Sequence, residues 1–187
     1  MLRVRKPDRR RALMALGAAV VAFDLALVLL DRKMEASGGP SILGFEFAGS
    51  TQRSTEILTQ WGESGHDAAR WSLWIDFGFM LSYGAFFTLA ALATRDYAAV
   101  KGYRRFALLG LAAASAAASA AMFDAMENVF LLLILGGNGG ELAPPAATIC
   151  ASIKFLLIGF SILYAIAGLA LRIFARRART ASAPDPT

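Results

Sequence analysis

Four stretches of the chain run nearly free of charge: roughly Ala12 to Leu30, Ser72 to Ala93, Phe106 to Leu135 and Ala146 to Leu171. About 20 mostly apolar residues, rising 1.5 Å each as a helix, cross a hydrocarbon core of about 30 Å. The pattern predicts an all-α fold, an integral membrane four-helix bundle with spans at about 12–30, 72–93, 106–135 and 146–171. The whole forms one domain over 1–177, and a small, polar, proline-containing tail over 178–187 is expected to be disordered.

The first connection, 31–71, is longer than a tether needs to be and is expected to be partly helical. Ser50 or Thr51 can cap a short helix that carries Ile57, Leu58 and Trp61 on one face and ends near Gly62. Phe45, Phe47, Trp61, Trp71 and Trp74 suit the membrane interface, where aromatic rings collect. The segment either packs on the bundle and shields its end, or closes as a lid over a polar pocket. Gly136 to Gly140 reads as a flexible turn, and Pro144 and Pro145 suit the start of the last helix.

Composition agrees with the membrane class. Of the 187 residues 57% are apolar, against about 45–50% for soluble domains. The basic N-terminus ahead of an apolar run has the outline of a signal peptide. That run exceeds the roughly 7–15 residues of a signal core, so an uncleaved first span is expected. The net charge of +5 comes from basic residues in short segments beside the spans rather than along one surface, which argues for the lipid bilayer as partner and against nucleic acid.

Lysine and arginine accumulate on the cytoplasmic side of short loops. Fourteen of the nineteen fall before the first span, between the second and third, or after the fourth. The 31–71 loop holds four, outnumbered by Asp31, Glu35, Glu46, Glu56, Glu63 and Asp67. Both termini are therefore expected in the cytoplasm, with the protein in the cytoplasmic (inner) membrane and the long loop outside.

Charged side chains inside a bilayer cost about 2.5–3.5 kcal/mol each on insertion scales, so each needs a reason. Five are present: Asp24, Asp76, Asp124 and Glu127, with Asn128 beside them, and Lys154. Counted along opposite-running helices, all five fall in the outer half of the bilayer. Asp124, Glu127 and Asn128 are spaced i, i+3, i+4 and share one face, which must look into the bundle. Ser72, Asp76 and Tyr83 form a stripe on the second helix, as do Cys150, Lys154 and Ser161 on the fourth. The predicted pocket comprises Asp76, Asp124, Glu127, Asn128, Lys154, Asp24 and Tyr83, with Lys154 as counter-ion to Asp124 or Glu127. Four carboxylates facing one ammonium carry an excess of three negative charges, so protons or a bound cation must make up the difference.

The alanine-rich third span, with Ser115 and Ser119 opposite the acidic face, favours close helix packing and allows a homo-oligomer. A lone histidine, His66, and a lone cysteine, Cys150, leave no haem ligand pair, zinc cluster or intramolecular disulfide, and no nucleotide or hydrolase motif occurs, so no cofactor is expected. Three readings remain open: binding or permeation of a cation, proton or cationic amphiphile; a small membrane enzyme using carboxyl acid–base chemistry on a lipid-like substrate; and an accessory subunit whose charges fasten the bundle.

Overall fold

A computed structural model describes residues 6–181, which are mostly helical with no strand among them. The elements are α1 (Lys6–Ala36), α2 (Ile42–Glu46), α3 (Thr51–Val100), α4 (Arg104–Leu135) and α5 (Ala143–Ala181). Four of them, α1, α3, α4 and α5, are long and apolar enough to cross a membrane. Helix α5 continues to Ala181, four residues into the stretch expected to be disordered; the rest of that stretch, 182–187, lies outside the described residues.

Helices α3, α4 and α5 pack on one another, while α1 lies against α3. Small side chains set the spacing. A Cβ on Gly84 of α3 would come within 2.8 Å of the Ala121 methyl on α4, so the two backbones approach to a distance only glycine permits there. Hydroxyls tie the apolar seams by reaching carbonyls across helices. Ser161 donates to the Ala113 carbonyl at 2.8 Å, and Tyr164 donates to that of Phe106 at 3.2 Å while stacking on its ring. Ser115 is exposed and Ser119 partly so, away from the acidic face.

The long connection is smaller than the apolar pattern implies, because helices extend into it from both sides. Ser50 caps α3 as expected, its hydroxyl accepting the Arg53 N–H at 3.2 Å. The helix breaks at Gly62 (φ 56°, ψ −162°) but resumes at once, so the capped segment is the first arm of the second spanning helix, bent over the bundle. The left-handed backbone explains the glycine. Gly62→Ala is expected to cost about 1–2 kcal/mol, read as a lower unfolding midpoint. An unchanged midpoint would mean that the bend does not require this conformation.

The bent arm and α2 build a compact cap on the end of the bundle away from the two termini, the distal end. Met34, Phe45, Ile57, Trp61, Leu73 and Leu131 form its core. Phe45 and Trp61 thus depart from the interfacial position expected for them; both are about 1% exposed, whereas Phe47, Trp71 and Trp74 are exposed. Trp61 can be buried because its indole N–H reaches the Pro40 carbonyl at 2.8 Å, leaving no polar atom unsatisfied. Asp31 near the end of α1 accepts the Ile42 N–H at 2.7 Å and so caps α2 from outside.

Candidate functional site

The acidic face of α4 turns inward as its spacing requires: Asp124, Glu127 and Asn128 are 3%, 0% and 2% exposed. Lys154 of α5, 7% exposed, projects among them. Its ammonium donates to Asp124 Oδ1 at 2.8 Å and lies 2.8 Å from Glu127 Oε2. The other Asp124 oxygen accepts the Tyr83 hydroxyl of α3 at 2.8 Å, so one carboxylate joins three helices. On the opposite flank Asn128 donates from one amide nitrogen to Asp76 Oδ2 at 2.7 Å and to the Leu73 carbonyl at 3.4 Å. Six of the seven residues expected in the pocket therefore meet.

Asp24 does not join them. The side of α1 that meets α3 runs through Val20, Phe23, Leu30 and Met34, with the ring of Phe23 filling the space at Gly78. Asp24 lies one step of about 100° from Phe23 and is exposed. Equal depth brought it into the predicted pocket; the rotation of α1 removes it.

Glu46 takes its place. This residue, the last of α2, is 8% exposed and sets Oε2 3.4 Å from the Lys154 ammonium. Its backbone carbonyl accepts the Thr148 hydroxyl of α5 at 2.9 Å, which fixes the approach. A signal existed in the sequence: Glu46 is the single charge within Ile42-Leu43-Gly44-Phe45-Glu46-Phe47-Ala48, an apolar island in a polar loop. Burial away from water, outweighing the pull of Lys154, holds its carboxyl above the ordinary 4.5.

The site is closed in this conformation. Three carboxylates surround one ammonium, and their hydrogen bonding is uneven. Both Asp124 oxygens have donors, from Tyr83 and Lys154, while Glu127 Oε2 and Glu46 Oε2 face only the ammonium, at 2.8 and 3.4 Å, and Glu127 Oε1 has no hydrogen-bond partner. Glu46 and Glu127 thus meet the same ammonium, one from the cap and one from α4. The ammonium occupies the centre that a cation would take, and among the described residues no group of three or more His, Cys, Asp or Glu is arranged to hold a metal ion. An open surface groove of about 580 Å3 lies elsewhere, along the bend of α3, and holds His66 with Glu63, Asp67 and Arg70.

Fold and site together define a multi-pass, all-α membrane protein with a buried lysine–carboxylate cluster under a distal cap. Comparison with protein-family models, with curated proteins and with solved structures gives no match.

Proposed function

We propose that this chain is a proton-binding protein of the cytoplasmic membrane, both termini in the cytoplasm, whose buried cluster takes up and releases protons from the outer side under control of the cap. One observation carries the reading: a single buried ammonium faces three buried carboxyls, Glu46, Asp124 and Glu127, and Glu127 Oε1 has no hydrogen-bond partner. With all three carboxyls ionised the group holds two uncompensated negative charges in a low-dielectric interior, and protons restore neutrality at the least structural cost. The orientation rests on the basic residues at the ends of the spans.

The cap supplies the access. Segment 38–49, which bears Glu46, is bracketed by Gly38 and Gly49 at φ +100° and +68°, backbone states natural to glycine. Asp31, Trp61 and Thr148 hold it through their bonds to Ile42, Pro40 and Glu46. A proton between Glu46 and Glu127 fastens this strap, and its loss leaves two carboxylates in repulsion and opens a path to Lys154. The strap thus fits a lid better than a plain shield.

Linkage sets the direction of the pH effect. A carboxyl with a raised folded-state pKa contributes its stability in full below the unfolded value of 4.5, and that contribution disappears as pH rises through the folded value. The purified protein in mild detergent is expected to lose thermal stability as pH rises above about 4.5. Glu127→Gln and Glu46→Gln should each flatten that profile and melt no lower than the native chain at neutral pH, since an amide places a donor between the two side chains without a charge. Sodium, potassium, calcium and choline chlorides, added separately, report whether a cation substitutes for the proton. A flat native profile, with Glu127→Gln strongly destabilising, would instead make the cluster a structural fastening. The Tyr83–Asp124–Lys154 link across three helices would favour that second reading.

A further inference from the structure

The sequence places a carboxylate where the fold provides nothing to receive it. Asp24 is exposed on α1, and among the described residues it takes part in no hydrogen bond or ion pair. Its depth is set by packing, because the neighbouring Phe23 lies against Gly78 of α3. Gly78 is four residues beyond Trp74 and seven beyond Trp71, both exposed aromatics suited to the interface. At 1.5 Å per residue Asp24 lies about 6–10 Å below that belt, among hydrocarbon tails. An aspartate side chain is too short to reach the headgroups from there, unlike lysine or arginine, whose long stems snorkel.

The surroundings are those of a helix–helix contact. Val21, Leu25 and Val28, one turn or less away on the same flank, are exposed apolar side chains, and α3 covers the other side of α1. We infer that this flank of α1 docks a transmembrane helix of another protein carrying a lysine or arginine at the depth of Asp24. Charge complementarity selects the occupant. Lipid tails offer no cation, and a second copy offers none within the membrane either: the one base this chain carries inside its spans, Lys154, is buried among Glu46, Asp124 and Glu127. Interhelical polar contacts of this kind strengthen association in bilayers where the hydrophobic effect does not act. The inference is independent of the proton-binding cluster, which lies on the other side of α3.

The test uses the full chain reconstituted in phosphatidylcholine vesicles at neutral pH with synthetic leucine–alanine transmembrane helices. One bears a single lysine in its outer half, one bears it in its inner half, and one has none. Energy transfer between labelled protein and labelled peptide reads association. Native protein is expected to bind the outer-half lysine peptide roughly ten-fold more tightly than either control, and Asp24→Asn to abolish that difference. An exposed position makes Asp24→Asn a folded protein, checked by an unchanged unfolding midpoint. Equal binding of all three peptides, or binding of none, would overturn the inference. So would Asp24-dependent energy transfer between two labelled copies of the chain, which would make the occupant a second copy with the two carboxyls sharing protons.

Discussion

Lys154→Met should lower the unfolding midpoint at neutral pH by the equivalent of about 3–5 kcal/mol. Methionine fills nearly the same volume, so packing around position 154 changes little. What disappears is the one positive charge among Glu46, Asp124 and Glu127, all buried. Removing one partner of a buried ion pair leaves the other as an uncompensated charge, and here three are left. The loss should shrink in acid, where the carboxyls become neutral, and the variant's midpoint should approach that of the native chain near pH 4. Adding Glu127→Gln and Asp124→Asn to Lys154→Met should recover most of the neutral-pH stability. A single variant that melts like the native protein at pH 7 would show that the carboxyls are already protonated without the lysine's help.

The second large effect concerns the cap. Trp61→Ala is expected to cost about 3–5 kcal/mol, the range for emptying a buried aromatic site. Trp61 is 1% exposed, its ring lies 5.0 Å from that of Phe45, and its indole N–H satisfies the Pro40 carbonyl. Its loss removes both the packing and the hydrogen bond that hold the strap, so the effect should reach the charged cluster. Amide hydrogen exchange across 38–49 should accelerate well before the spanning helices open, and the pH dependence of stability should weaken as Glu46 gains access to water. If exchange in the strap and in the helices rises together, the cap is not a separately opening unit.

These outcomes turn on features that the sequence reveals unequally. The inward face of α4 is legible because i, i+3, i+4 spacing admits one helical arrangement, and a bilayer admits one place for charged groups on that face. The break at Gly62 and the cap at Ser50 are legible for similarly local reasons. The path of the chain beyond Gly62 is not: a residue with positive φ can end a helix or bend it, and the choice depends on whether the next arm finds a surface to pack on. Trp61 shows the same limit. An aromatic with one polar atom suits the interface equally with a core that offers an acceptor, and the acceptor at Pro40 is twenty-one residues away.

The membrane class, the number of spans and the grouping of Asp76, Asp124, Glu127, Asn128 and Lys154 toward one end of the spans, with Tyr83 on the stripe of Asp76, were determined by sequence alone, since hydrocarbon thickness, helical rise and the cost of charge in lipid act along a single chain. Tertiary structure alone decided which further acid joins Asp124 and Glu127 at the lysine. Depth is one coordinate and rotation about the helix axis is another; α1 turns Asp24 outward because Val20, Phe23 and Leu30 take the contact with α3. Glu46 arrives from a loop whose path is set by Asp31, Trp61 and Thr148, contacts between residues far apart in the chain, to which no local periodicity points.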